Sequence, residues 1–274
     1  MKKSLQVDRA SQAFEDSGTG VPVVFLHPTP LDGEFWRPVA EKLAGVRAII
    51  PDLRGHGRSE LGQLSAGGFE LAPGAPVLTM ERLAKDVLAL LDHLHLQNAI
   101  FAGCSVGGYV LLEIWRKAPE RVRGLVFVCS KPQPDAAGNR PRRATTIAQA
   151  LKGKSEALFE GMGQTLIGAT ARERRPEIVG ELRAHMTLTP EALAAMQAGL
   201  ATRPDSVATV ATITAPVLAI AGGEDPGITV EEMEVFREAP GGCDFHLIPD
   251  AGHFAAYEQP EKVAAIFNAW LAKR

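Results

Sequence analysis

The stretch Ala99-Ile100-Phe101-Ala102-Gly103-Cys104-Ser105-Val106-Gly107-Gly108 decides how this chain is read. An apolar run of strand length ends at Gly103, and the pattern that follows predicts a helix over 106–117. A strand that turns directly into a helix leaves no room for a Cβ at its corners, which accounts for glycine at 103 and 107. In a G-x-S-x-G turn the central residue takes strained backbone angles and projects its hydroxyl above the sheet. The helix behind it aims its first amides at that hydroxyl, so an anion formed there is stabilised. Ser105 is therefore the candidate nucleophile. Cys104 is intrinsically more nucleophilic, but it holds an x position whose side chain is expected in the sheet packing, and it reads as core.

Outward from this turn, short apolar runs at 23–26, 48–50, 125–128, 217–221 and 245–248 alternate with helical patterns. Most are apolar at every position, as strands covered on both faces must be. The fold class is α/β, a mostly parallel sheet flanked by helices. Met80, Leu83, Val87, Leu90, Leu91 and Leu94 recur at steps of three and four and predict a helix capped by Thr79. Two more helices are expected over 230–238 and 260–272, with Pro119 and Pro240 as stop signals. Residues 131–205 hold no strand-like run and are rich in Ala, Arg, Glu, Met and Leu. They read as a helical insertion into one α/β domain formed by 1–130 and 206–274. The opening Lys131-Pro132-Gln133-Pro134-Asp135-Ala136-Ala137-Gly138 is turn-rich and hinge-like, and 65–76 reads as a surface loop.

A serine is a weak nucleophile without a base, and the base needs an acid to fix its tautomer. In a sheet of this type the members follow in the order Ser, Asp or Glu, His, each at the C-terminal end of its strand. Asp225 lies in Gly222-Gly223-Glu224-Asp225-Pro226, immediately after one predicted strand. His253 lies in Asp250-Ala251-Gly252-His253-Phe254, just past the next. Asp before Pro is a common turn former and His after Gly a common helix start, but three such groups in the right order at strand ends outweigh those plainer readings. Asp250 reads as a turn residue, and Asp135 stands as the alternative acid.

Composition narrows the function further. The formal net charge of -3 argues against a nucleic-acid binder, and the basic cluster at 140–143 is local. Three cysteines, an odd number lying in or beside apolar runs, argue against a secreted disulfide framework and for a reducing compartment. Asp8 and Arg9 interrupt the N-terminus before any apolar stretch of signal-peptide length. No apolar run is long enough to span a membrane. The expectation is a cytoplasmic protein with neither nucleic acid nor membrane as partner. Clustered Cys and His at ligand spacing are missing, so no metal or other cofactor is expected.

Four separated motifs, Leu26-His27-Pro28-Thr29-Pro30, Pro51-Asp52-Leu53-Arg54-Gly55-His56-Gly57-Arg58-Ser59, Gly103-Cys104-Ser105-Val106-Gly107-Gly108, and Asp225 with Ala251-Gly252-His253, carry a resemblance. Over nearly its whole length the chain resembles the α/β-hydrolase superfamily, in its esterase, enol-lactonase and cofactor-free haloperoxidase-like branch. The resemblance implies an eight-stranded sheet with a helical cap after the sixth strand, where 131–205 falls. It also implies an oxyanion amide from the third residue of a His-Gly-X turn. Here Pro28 replaces the glycine and lacks an N–H, so the donor carried over is Thr29, with Val106 as the second. Pro30 biases Thr29 toward an extended backbone. Pro30 and Phe254 are carried over as substrate-binding residues. His27 braces its loop, and the 52–59 loop shapes the site entrance without using His56 as a base.

The implied activity is hydrolysis of an ester, lactone or related acyl compound through an acyl-Ser105 intermediate, in a chain that can pair as a homodimer, and the near-neutral net charge of -3 points to a small, uncharged or modestly apolar substrate. Serine at the elbow separates it from relatives that use aspartate there, the haloalkane dehalogenases and epoxide hydrolases. C–C bond hydrolases, acyltransferases, hydroxynitrile lyases and receptors with little turnover share the same groups and remain alternatives. Of Leu158, Phe159, Met162, Leu166, Ile167, Met186, Leu188 and Met196, about a quarter are expected to line the pocket, while the rest pack helix to helix.

Overall fold

Side chains alternate across a strand, so a run that is apolar throughout must be covered on both faces. That requirement organises the whole molecule. The computed structural model describes residues 2–64 and 68–274. Its strands are β1 (Lys2–Val7), β2 (Ala10–Gly18), β3 (Val21–Leu26), β4 (Val46–Pro51), β5 (Ala99–Cys104), β6 (Val122–Val128), β7 (Val217–Gly222) and β8 (Cys243–Ile248). They form one eight-stranded sheet in the order β1-β2-β4-β3-β5-β6-β7-β8. The first two join by antiparallel pairing, and β3 to β8 run parallel.

The α-helices in chain order are α1 (Arg37–Ala40), α2 (Met80–His93), α3 (Val106–Lys117), α4 (Arg140–Leu151), α5 (Ser155–Leu166), α6 (Ala169–Arg174), α7 (Ile178–Ala184), α8 (Pro190–Ala201), α9 (Val207–Val210), α10 (Val230–Glu234), α11 (Ala255–Glu258) and α12 (Pro260–Leu271). On one face of the sheet, Val24, Leu26, Phe101, Leu125 and Phe127 pack with Leu83, Val87 and Leu90 of α2 and Val110, Leu111 and Ile114 of α3. On the other, Val23, Phe25, Ile100, Ala102, Val126 and Val128 pack with Val263, Phe267 and Trp270 of α12. The expected cap of α2 is present, with Thr79 Oγ1 accepting from the Arg82 amide at 3.1 Å. The helix expected over 230–238 divides into α10 and a 3-10 turn at Val235–Glu238.

Two expectations need correction. The run at 245–248 is the outer edge strand, and Leu247 there is exposed, so it is not covered on both faces. The hairpin of β1 and β2 was not expected, because its residues are mostly polar and, among the described residues, only Ala10, Gln12, Ala13 and Phe14 are buried in it. Of the loop expected over 65–76, residues 65–67 lie outside the described residues.

Between β6 and β7 the chain runs through α4 to α9 with no strand among the described residues. Ile147 of α4 packs with Ala194 and Ala198 of α8, and α8 is fastened to the core by the Leu78 amide donating to the Ala195 carbonyl at 3.0 Å. No helix among the described residues is long and apolar enough to cross a membrane. The closest approach is at Gly199, where a Cβ would stand 1.8 Å from the Leu78 carbonyl oxygen. Gly199→Ala is therefore expected to lower unfolding stability by at least about 2 kcal/mol in chemical denaturation; an unchanged midpoint would refute this packing.

Candidate active site

Parallel strands in register end at one level, so the loops that follow them share one edge of the sheet. Leu26 pairs with Gly103, Cys104 with Val128, and Gly222 with Ile248. Just beyond those positions lie Thr29, Ser105, Asp225 and His253.

Ser105 has φ 50° and ψ -112°, the left-handed backbone region that costs a residue with a side chain about 1–3 kcal/mol. Three hydrogen bonds hold it there. Its amide donates to the Val128 carbonyl at 3.1 Å, and its carbonyl accepts from the Tyr109 amide at 3.2 Å and from Ser130 Oγ at 2.9 Å. The glycines at 103 and 107 are required by contact, since a Cβ would meet the Gly107 carbonyl carbon at 2.4 Å or the Leu26 carbonyl oxygen at 2.1 Å.

His253 Nδ1 stands 2.8 Å from Asp225 Oδ2. A carboxylate only accepts, so Nδ1 carries the proton and Nε2 is the free basic nitrogen. Asp225 Oδ1 is occupied by the amides of Gly227 at 2.8 Å and Ile228 at 3.1 Å, which orients the carboxylate. Burial alone would push the imidazole pKa down, but the charge and hydrogen bond of Asp225, with the charge of Glu258, hold it above the usual value. Asp135, the alternative acid, is elsewhere engaged. It takes Arg143 Nε at 2.6 Å and lies 3.3 Å from Arg203, and although burial opposes its charge, Arg143 and Arg203 hold its carboxyl below the usual range.

The turn after β3 is braced as expected. The Leu53 amide donates to His27 Nε2 at 2.8 Å, so His27 Nδ1 donates to the Pro28 carbonyl at 3.0 Å. His56 Nδ1 donates to the Arg54 carbonyl, which leaves Nε2 to accept from Thr29 Oγ1 at 3.0 Å. Burial lowers His27 to about 4, and burial with the nearby His27 lowers His56 to about 3. Both rings are therefore neutral scaffolding. The 52–59 loop is pinned beneath them by a buried Arg54–Asp86 ion pair at 2.6 Å.

Thr29, Ser105 and His253 line a cavity of about 250 Å³, together with residues from α4, α5 and α8. The peptide bond between Thr29 and Pro30 is cis. Val106 opens α3 with its side chain in the core. Among the described residues, the Thr29 and Val106 amides have no backbone acceptor. Pro30 and Phe254 are not brought to the cavity. Pro30 is buried in its loop, and Phe254 is sealed in the core with its ring 6.0 Å from Phe35. Of the eight apolar residues considered for the pocket, Met162 and Leu166 line it. Phe159, Ile167, Met186, Leu188 and Met196 are buried in the packing, and Leu158 lies against it. Cys104 and Cys129 are buried beneath the site. Their thiols point to the carbonyls of His253 at 3.6 Å and Gly252 at 3.5 Å, and burial raises both well above the usual thiol value.

The residue that sequence reasoning missed is Glu258. It accepts from the amides of Gly168 at 3.0 Å, Gly252 at 2.7 Å and Phe254 at 3.0 Å, and so locks the His253 loop to the segment following α5. The His253 amide makes a parallel tie to the Leu166 carbonyl at 2.9 Å. Glu224 accepts from the Thr170 amide at 2.9 Å in the same way. Nothing in the sequence marks Glu258, because a carboxylate that serves backbone amides leaves no pattern in residue type or spacing.

A family model described as alpha/beta hydrolase family matches residues 23–266. The chain belongs to that family. Accordingly it is an enzyme of the hydrolase class. A structure of a thermophilic esterase from Thermogutta terrifontis is 33% identical, with a TM-score of 0.89 and coverage of 100% of this chain and 98% of that one. The 3-oxoadipate enol-lactonase 1 of Acinetobacter baylyi is 25% identical over 91% of this chain and 88% of its own. Lipase LipV of Mycobacterium tuberculosis is 25% identical over 98% of this chain and 99% of its own.

Replacing Glu258 by Gln substitutes an amide NH₂ for one of two accepting oxygens and leaves buried N–H groups unpaired. The expected cost is about 1–3 kcal/mol of stability by denaturant titration. A variant as stable as the parent would mean that the three amides find other partners.

Proposed function

We propose that this protein is a serine hydrolase of small carboxylic esters, lactones or related acyl compounds, with 131–205 as a helical cap over the site. The observation that carries the reading is Ser105 in its strained elbow, opening on the same cavity as a His253 whose Nδ1 is held by Asp225. Relatives named as an esterase, a lipase and an enol-lactonase support the ester and lactone class.

In the proposed reaction Ser105 Oγ attacks the acyl carbonyl carbon while its proton passes to His253 Nε2. The tetrahedral oxyanion lies against the amides of Thr29 and Val106, each worth about 3 kcal/mol in comparable sites. Collapse breaks the bond to the leaving alkoxide, which takes the proton from His253. Water then gives a proton to Nε2 and attacks the acyl-Ser105 carbonyl; collapse returns the proton to Ser105 and frees the acid. Asp225 fixes the starting tautomer and stabilises the imidazolium formed in each half. The cap's ties through Glu258 and Glu224 hold the loops of His253 and Asp225 in one geometry.

A fluorophosphonate probe is expected to add once per chain, with Ser105→Ala abolishing the adduct in intact-mass measurement and lowering kcat by roughly 10⁴–10⁶ on phenyl esters. No adduct on the parent, or equal labelling of the variant, would sink the nucleophile assignment and favour a receptor.

The base must be neutral to work, so kcat/KM rises with pH through the pKa of His253. Because Asp225 and Glu258 raise that pKa, the acid limb should have its midpoint above the ordinary histidine value of about 6.5. In Asp225→Asn, burial acts without the main opposing charge, and the midpoint of the residual activity should fall. A midpoint that stays in place would assign the limb to another group.

A further inference from the structure

α4 turns Ile147 and Ala150 into the packing, as a helix covering a core does, and its polar face, Asn139, Arg142, Arg143 and Thr146, borders the half-open cavity, with Asn139 and Arg142 exposed. Lys131 and Arg203 line it too, while Asp135 is the carboxylate beside them. Most of this charge is compensated. Lys131 is paired with Glu232, and Arg143 is held in a fork by Asp135 and by Gln197 Oε1 at 2.8 Å. Arg203 is 3.3 Å from Asp135, both side chains being only 4% exposed, and it donates to the carbonyls of Leu200 and Gln133 and stacks 4.4 Å over Tyr109. Its buried Nε has no acceptor among the described residues. Arg142 has no ionic or hydrogen-bonded side-chain partner among them at all. The rim of the cavity therefore carries one exposed, unpaired cation beside a group of fixed ones. Met162, Leu166, Leu200 and Ile228 supply apolar surface to the same cavity as Ser105 and His253.

We propose that the preferred substrate is an ester or lactone whose acyl chain ends in a carboxylate, the chain lying along Met162, Leu166 and Leu200 and the carboxylate meeting Arg142. The proposal rests on reading Ser105 as the nucleophile, and it departs from the uncharged substrate expected from composition, because the net charge of the chain says nothing about the charge of one wall. A single free guanidinium matches a monoanion and offers two parallel N–H donors to its oxygens. The neighbouring pairs keep that guanidinium from being neutralised internally, since Asp135 and Glu232 are already committed.

The test compares the monophenyl esters of succinic, glutaric and adipic acids with their carboxamide isosteres, which have the same shape and no charge. For at least one chain length, the parent enzyme should show a kcat/KM about tenfold or more in favour of the carboxylate at low salt. Arg142→Gln should bring that ratio toward one, Arg142→Lys should retain part of it, and Arg142→Glu should invert it. Reading the ratio cancels any general loss of activity. If all three carboxylates are turned over no better than their isosteres, the proposal falls while the hydrolase reading stands. If neither series is hydrolysed, calorimetry with monomethyl glutarate against its carboxamide separates the two ideas. Preferred binding of the anion would uphold the subsite and sink the hydrolase reading, and equal or absent binding would overturn the proposal as well.

Discussion

The candidate site at this edge of the sheet depends on one residue being held in a backbone conformation it would not choose. Ser105 sits at φ 50° because its amide is committed to Val128 and its carbonyl to Tyr109 and Ser130. Those partners come from the neighbouring strand, the helix that follows and the loop beyond the next strand, so the turn exists only when the sheet and α3 are already packed. The two glycines let the backbone of β3 and of α3 come within contact distance, and the parallel register brings the loops of Asp225 and His253 to the same level.

How much of this was legible in the sequence follows from the range of the forces involved. The interior strands and α2, α3 and α12 could be read because burial on both faces writes an unbroken apolar run, and burial on one face writes a stripe. The elbow and the Asp225–His253 pair could be read because each sits where such a run stops. The hairpin of β1 and β2 could not, since an edge needs few apolar residues and its pairing is made by backbone groups that every residue carries. The edge position of β8 was hidden for the converse reason: Phe245 and Leu247 look like core until the neighbour on one side proves to be solvent.

Within the site, the limit of legibility falls between groups that act on each other locally and groups that meet across long loops. The link of Glu258 to Gly168 spans ninety positions, and that of Arg143 to Gln197 spans fifty-four. Pro30 and Phe254, carried over as substrate-binding residues, adjoin Thr29 and His253 in the chain. In a tight loop, neighbouring side chains diverge, and here both turn into the packing. The charged wall of the cavity was concealed by its own compensation, because Lys131, Asp135, Arg143, Arg203 and Glu232 nearly cancel when counted along the chain and only their arrangement leaves Arg142 over.

The two buried thiols acquire a meaning from where they lie. Cys104 and Cys129 rest against the carbonyls of His253 and Gly252, and burial keeps them protonated and out of reach of electrophiles. A modifying reagent reaches them only when the packing over them opens, and the histidine loop is part of that packing. Their rate of alkylation is therefore a clock for that opening. The protein carries within its core a chemical reporter of how often the packing beneath the candidate site comes apart.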